Sequence, residues 1–279
     1  MEQIRLPNGL WYYDPSHPLG QAGGFGQVFL GTSETGDEVA VKRLHIGAAD
    51  SAHRELRVSD LLRVGTFAHV IAVLDAGQDS DSDRYFVVMA KAEKSLQDEL
   101  AQLGHFEVLR AVGIALEILD GLDELPDLVH RDLKPPNVLL HAGVWKLADL
   151  GIARFVEEST SLNTLRDCLS PPYAAPEQWR MERTSAATDI YALGCILFAL
   201  LTGDPPFHAE DTSALQSKHL YETPTIPDTI PALLRTVISF ALRKRPETRP
   251  ARARLRELLT SVLATAEAEL PRPGLRRLG

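Results

Sequence analysis

The sequence predicts a two-lobed α+β protein, a small antiparallel β-sheet lobe carrying one helix, followed by a larger and mainly helical lobe. Three observations predict it. Before about residue 90 the apolar residues alternate or are β-branched around turn signals. After Ala90 they recur with the 3.6-residue period of amphipathic helices. The 279 residues, 44% hydrophobic and 24% charged, are enough to bury one large core or two modest ones tightly joined. The expected divisions are 1–89, 90–269 and a tail at 270–279 (LPRPGLRRLG), the one segment expected to be disordered.

The elements follow in order. GQVFLGT and DEVAVKRL flank the turn Ser33 to Asp37 and read as a hairpin. Ser51 to Val64 has helical composition, and HVIAVLDAG and RYFVVM read as two further strands. SLQDELAQL opens the helical part. Val108, Val112, Ala115, Leu119 and Leu122 then mark one inward face, spaced four, three, four, three. Ile190 to Leu201 (IYALGCILFALL) is the longest apolar run; it falls well short of the roughly 20 residues that cross a bilayer and reads as a buried helix. Leu255, Leu258, Leu259, Val262 and Leu263 repeat the helical template near the end.

Composition excludes several function classes. Met1 to Asp14 is mixed throughout and has no secretory pattern, so a cytoplasmic location without a membrane span is the expectation. Cys168 and Cys195 are the only cysteines, which implies neither a disulfide framework nor cysteine-rich zinc spacing. The nine histidines contain no H-E-x-x-H pair. A net charge of -9 argues against nucleic acid as a partner, and the basic run Arg243 to Arg256 reads as a solvated helix entry.

Leu19 to Val28, LGQAGGFGQV, is the first candidate for chemistry. G-x-G-x-x-G placed on Gly26 and Gly23 asks for a glycine at position 21, where Gln21 stands. A dinucleotide-binding turn would need a helix after the glycines, yet a strand follows. What remains is a glycine turn between two strands, able to fold over phosphates and offer backbone N–H groups. The next strand carries Val39, Ala40, Val41 and Lys42, and behind a glycine flap Lys42 becomes a candidate clamp for phosphate oxygens.

From His130 the chain reads HRDLKPPNVLL, and from Lys146 it reads KLADLG. With the glycine loop and VAVK, these resemble the protein kinase family, in its serine/threonine branch, over about Leu19 to Leu263. Ala, Leu and Arg richness points to the bacterial type. The resemblance implies ATP as phosphoryl donor, Mg2+ (with Mn2+ as a substitute), and protein serine or threonine hydroxyls as acceptors. Transfer spreads negative charge over the γ-phosphoryl oxygens, so the catalyst needs metal ligands, a cation on the phosphates and a group orienting the hydroxyl. Asp149 and Asn137 are the implied metal ligands, Asp132 the group that aligns the acceptor, and Lys134 the cation on the γ-phosphate. Lys134 also favours serine or threonine over tyrosine.

Lys42 needs an acidic partner, for which Glu55 on the predicted helix is preferred over Glu38 and Asp60. Adenine is expected between Val28 and Ala40 above and Leu139 below, with hinge backbone from Met89 to Ala92 along its edge. Val88 or Met89 guards the back of that pocket. Gly20, Gly23, Gly24 and Gly26 form the flap; in the family's register one extra residue sits in the entering arm, and Gly20 supplies the bend through a bulge.

Leu150 replaces the family's usual phenylalanine and is expected to pack against His130 and the Glu55 helix. The link from Asn137 to Asp149 is one residue short, implying a tight hairpin. Downstream, SPPYAAPEQW resembles the substrate-receiving segment. There the Ser170 hydroxyl is expected to bond Asp132 and Lys134, Glu177 to pair with Arg249, and Asp189 to anchor the catalytic-loop backbone. Between Gly151 and Ser170 the composition reads as a mobile loop. Arg131 and Arg154 are placed to hold a phosphate there, with Thr164 the first expected site and Thr160 the second. A transient homodimer would serve phosphorylation in trans. The alternatives are a small-molecule phosphotransferase of the same fold and a non-catalytic scaffold.

Overall fold

The computed structural model describes residues 1–20, 26–44, 59–60, 62–63, 65–82, 84–150, 154–155 and 169–269, with side chains described except at 154–155 and 266–269. Six strands form the first sheet: β1 (Glu2–Leu6), β2 (Gly9–Pro18), β3 (Gly26–Ser33), β4 (Glu38–Leu44), β5 (Val73–Gln78) and β6 (Tyr85–Ala90). Their order is β1-β2-β3-β4-β6-β5, and each pairing is antiparallel. The β3–β4 hairpin closes at the expected turn, where Ser33 N donates to Asp37 O at 2.9 Å.

β1 and most of β2 go beyond the sequence reading. Only Ile4 and Leu6 of EQIRL point inward, a pattern too short and too polar to stand out. The sheet curls until β1 meets β5 from the far side. Ser80 N donates to Arg5 O at 3.2 Å, and Arg5 N to Asp79 Oδ1 at 2.8 Å. The fully buried Asp75 carboxylate accepts from Asn8 N at 3.0 Å, Asn8 Nδ2 at 2.9 Å and Trp11 Nε1 at 2.8 Å. A buried carboxylate held by neutral donors in this way meets the rule that interior polar groups are hydrogen-bonded.

Strand alternation sorts the side chains onto two faces. Tyr13, Phe29, Val39, Val41, Phe86 and Val88 share one core with Ile4 and Leu6. Val28, Lys42 and Val87 lie opposite one another on the other face, as do Ala40 and Met89. That face turns toward the helical lobe.

The register places a bulge in the arm that enters the glycine loop. Tyr13 faces Gly31 and Pro18 faces Phe29, five residues along β2 against two along β3, so β2 bulges between them. Asp14 closes the bulge by accepting from Ser16 N at 3.0 Å and Ser16 Oγ at 2.6 Å. Beyond it the arm is regular: Leu19 N donates to Val28 O at 2.8 Å, and Gln27 Nε2 to Gly20 O at 3.0 Å. One bulge in the entering arm thus lies between Tyr13 and Pro18, and residues 21–25, which follow Gly20, lie outside the described residues.

The second lobe opens with β7 (Lys94–Ser95) and α1 (Leu96–Leu103), whose capping box joins Ser95 and Asp98. α2 (Val108–Glu124) buries Val112, Ala115, Leu119 and Leu122, the stripe read from the sequence. Then come β8 (Leu128–Val129), β9 (Val138–His141), β10 (Val144–Leu147) and β11 (Arg154–Phe155), the last paired with β8. The β9–β10 hairpin is tight, as expected, with φ of 53° at Ala142 and 78° at Gly143, the positive pair of a type I′ turn. α3 (Pro176–Trp179), α4 (Ala186–Thr202), α5 (Thr212–Tyr221), α6 (Ala232–Ala241) and α7 (Arg252–Glu269) complete the lobe.

α4 is buried without interruption from Thr188 to Leu200, which accounts for the apolar run as core. Among the described residues no helix is long and apolar enough to cross a membrane. The helix expected over Ser51 to Val64 is described only at 59–60 and 62–63, which are helical, and the 270–279 tail lies outside the described residues. A parallel bridge between Val70 and Leu147 joins the lobes, with Leu147 N donating to His69 O and Ile71 N to Leu147 O, both at 2.8 Å. Gly121 lets α2 approach this joint, since a Cβ there would stand 2.7 Å from His69 O. Leu147 is two residues from Asp149, so the joint sits directly beside the cleft.

Candidate active site

β8 ends at Val129 and the chain turns into His130 to Asn137 between the two lobes. Asp189, near the start of α4 and 1% exposed, accepts from His130 N at 3.0 Å and Arg131 N at 2.9 Å. It anchors the catalytic-loop backbone, the place expected for it from the sequence, at His130 and Arg131. His130 Nε2 donates to Ala148 O at 3.2 Å, and Asp132 N reaches His130 Nδ1 at 3.4 Å. Arg131 is held at φ 71°, a left-handed conformation that costs a non-glycine residue about 1–3 kcal/mol and persists only under outside constraint.

That constraint turns Asp132 into the cleft. Its Oδ1 accepts from Ser170 Oγ at 2.5 Å, and its Oδ2 lies 2.8 Å from Lys134 Nζ and 3.1 Å from Asn137 Nδ2. Lys134 Nζ also donates to Ser170 Oγ at 2.8 Å. A hydroxyl thus sits between a carboxylate and an ammonium. Asn137 Nδ2 donates in addition to Asp132 O at 2.9 Å, which commits its nitrogen and leaves its amide oxygen as the atom for a cation. Ala148 N donates to Asn137 O at 2.9 Å and so sets the spacing between Asn137 and Asp149.

Asp149 has φ 56°, and its Oδ1 stands 2.5 Å from Lys42 Nζ, although 107 residues separate them in the chain. Burial acts to raise the Asp149 pKa, but Lys42, Lys134 and His130 outweigh it and hold the carboxyl below its ordinary value. Asn137 and Asp149 together offer hard oxygen donors, the set that suits a magnesium ion beside phosphates. Above them Gly26 closes on β4, where a Cβ would meet Arg43 O at 2.3 Å; only glycine permits that approach. Gly20 has φ 88°.

The residues expected around adenine can also be located. Val28 and Ala40 stand on the cleft face, and Leu139 is half-buried on β9 below. Val88 belongs to the outer core and is fully buried there, whereas Met89 pairs with Ala40 on the cleft side. Of the two candidates, Met89 is the one on the cleft face. Glu38 pairs with Lys91 at 2.9 Å and is 61% exposed, and Asp60 pairs with Arg63 at 3.5 Å; neither serves Lys42. Glu55, Gly23, Gly24, Thr160, Thr164 and Cys168, together with the Arg154 side chain, lie outside the described residues. Leu150 packs with Leu62, Val70, Leu125 and Leu128.

Glu177 and Arg249 form a two-pronged pair at 2.7 and 2.8 Å, with side chains 1% and 0% exposed. Three residues the sequence reading passed over complete the support. Gln178 Nε2 donates to Arg131 O at 2.7 Å, Arg131 Nε donates to Thr184 Oγ1 at 2.8 Å, and Thr188 Oγ1 donates to Glu177 Oε1 at 2.8 Å. Gln178 stands next to Glu177 in SPPYAAPEQW, which is the only signal the sequence offered for it; nothing local marked the two threonines.

The protein kinase domain family matches residues 13–265 of the chain. The probable serine/threonine-protein kinase PknB of Corynebacterium glutamicum is 35% identical over 248 residues, 82% of this chain and 38% of that protein. The serine/threonine-protein kinase PrkC of Bacillus subtilis is 31% identical over 79% of this chain and 35% of its own length. The DNA damage-responsive serine/threonine-protein kinase RqkA of Deinococcus radiodurans is 30% identical over 88% of this chain and 39% of its own. The chain thus spans less than two fifths of the length of these curated relatives.

Proposed function

The chain belongs to the protein kinase family, and from that premise we propose that it is an ATP-dependent serine/threonine protein kinase of the bacterial type. The observation that carries the proposal is the Ser170 hydroxyl held between Asp132 and Lys134, because an acceptor hydroxyl needs the same two neighbours. Asp132 aligns that hydroxyl and takes its proton while its oxygen forms a bond to the γ-phosphorus and the bond to the ADP oxygen breaks. Lys134 and Lys42 neutralise phosphate charge. Mg2+, held by Asp149 and Asn137, supplies further charge neutralisation at the phosphates. Glu55 is assigned as the acidic partner of Lys42. Gly20, Gly23, Gly24 and Gly26 form the phosphate flap, with Val28, Ala40, Met89 and Leu139 around adenine.

The domain division at residue 89, the cytoplasmic location and transient self-association belong to the same reading. So does activation by autophosphorylation, at Thr164 first and Thr160 second, with Arg131 and Arg154 receiving the phosphate. The Glu177–Arg249 brace and Ser170 favour a protein acceptor over a small molecule, because both support a peptide-receiving segment. The test compares wild type with Asp132→Ala, using labelled Mg-ATP, intact mass and a panel of protein substrates. Loss of roughly 100-fold or more in transfer is expected on substitution. A wild type that phosphorylates neither itself nor any protein overturns the reading, and an active enzyme whose 151–170 segment stays unmodified removes the autophosphorylation step.

A further inference from the structure

α7 begins with two arginines one helical turn apart, both facing the carboxyl half of α2. Arg256 takes the outer position and pairs with Asp120 at 2.6 Å and Asp123 at 2.9 Å. Arg252 reaches deeper, with its side chain 12% exposed. Its Nη1 donates to Leu122 O at 2.5 Å, near the end of α2, and its Nη2 to Leu128 O at 3.5 Å, two residues before His130. The same Nη2 lies 3.9 Å from Asp189 Oδ2, and Nη1 lies 4.0 Å from Asp123 Oδ1. Arg252 Nε is buried and has no hydrogen-bond partner among the described residues. The guanidinium is therefore placed by its charge and its two outer nitrogens.

Asp189 is the carboxylate that fixes the His130 and Arg131 amides, and it is buried. An isolated buried carboxylate is strongly penalised unless a cation accompanies it. The charged and titratable groups that face it are His130 from the catalytic loop and Arg252 from α7. We propose that Arg252 is a positioning residue for phosphoryl transfer: it is the counter-charge through which α7 holds Asp189 and, through Asp189, the left-handed turn that presents Asp132. The proposal rests on the kinase reading only for its catalytic readout. Burial pushes the Asp189 pKa up while His130, the two backbone N–H groups and Arg252 oppose this. Removing the cation thus makes protonation easier and loosens one of the two amide bonds as pH falls.

The full chain is assayed as wild type, Arg252→Lys and Arg252→Gln. Arg252→Gln is expected to lose about 10-fold in kcat, within the roughly 100-fold that a misplacement of about 1 Å costs, at unchanged KM for ATP. Its acid limb should move up by about one pH unit or more, and Arg252→Lys should restore it. The 13C resonance of the Asp189 carboxyl should report the same displacement without any turnover, which keeps this test separate from failure of the kinase reading. Arg252→Gln and Arg252→Lys with the wild-type acid limb and equal losses of thermal stability would overturn the proposal. In an Asp189→Asn background no carboxylate remains for Arg252 to accompany, so adding Arg252→Gln should leave the acid limb where Asp189→Asn alone puts it. An acid-limb shift on Arg252→Gln that persists in the Asp189→Asn background overturns the proposal.

Discussion

Two ion pairs flank the catalytic loop, and they are built differently. Glu177–Arg249 lies wholly within the helical lobe, two-pronged and shut off from solvent, with Thr188 and backbone carbonyls completing its hydrogen bonds. Lys42–Asp149 spans the two lobes, and the Asp149 side chain is 33% exposed. The first has no route for water or ligand to replace either partner. The second keeps one partner open to whatever enters the cleft. A buried pair in a single rigid lobe can only brace, whereas a half-open pair across a cleft is free to exchange its partner for phosphate and metal.

The largest effect that would test this contrast is at Arg249. Arg249→Met leaves Glu177 buried and uncompensated, and is expected to cost about 3–5 kcal/mol in urea unfolding. Replacing Glu177 by Met and Arg249 by Leu together should recover at least half of that, roughly 2 kcal/mol, because no unpaired charge remains. A single variant that unfolds like wild type would remove the bracing role.

Lys42→Met should separate stability from activity. Asp149 is open enough to be rehydrated, and Glu55 is the second partner assigned to Lys42, so unfolding should shift by less than for Arg249→Met, about 1–2 kcal/mol. Phosphotransfer should fall by roughly 100-fold or more, the scale of losing one group that stabilises transferred charge. A stability loss as large as that of Arg249→Met would make the two pairs alike.

The smallest effect concerns pH. Lys42 helps hold the Asp149 carboxyl below its ordinary pKa of 3.8, so the stability this pair adds is present above pH 3.8 and is lost as pH falls through the lower folded-state value. The difference in melting temperature between wild type and Lys42→Met should therefore shrink on acidification below pH 3.8. A difference that stays constant down to acid unfolding would show that the pair adds nothing to stability.

Much of the site was legible because chemistry limits which side chains stand at short spacings. Asp132, Lys134 and Asn137 occupy one hexapeptide, and their order alone carries the argument. What sequence could not supply was phase and closure. Strand alternation says that Val88 and Met89 face opposite ways, but only pairing with β4 says which one faces the cleft. β1 has two apolar residues in five, and it becomes a strand because the sheet curls far enough to bury them. The bulge between Tyr13 and Pro18 went unread because register is set by pairing with β3 and not by local composition.

The basic run Arg243 to Arg256 illustrates the division most sharply. As sequence it reads as a solvated helix entry, and Arg245 and Arg254 are indeed 78% and 63% exposed. Arg249 and Arg252 in the same run are buried against carboxylates that lie 72 and 63 positions earlier. Sequence alone determined the α+β class, the helical stripes and which groups are candidates to meet phosphate, because periodicity and residue chemistry are local properties. Which arginine is a surface charge and which is a brace was decided by tertiary structure, because the strength of a charge pair depends on distance and on exclusion of water, and packing sets both.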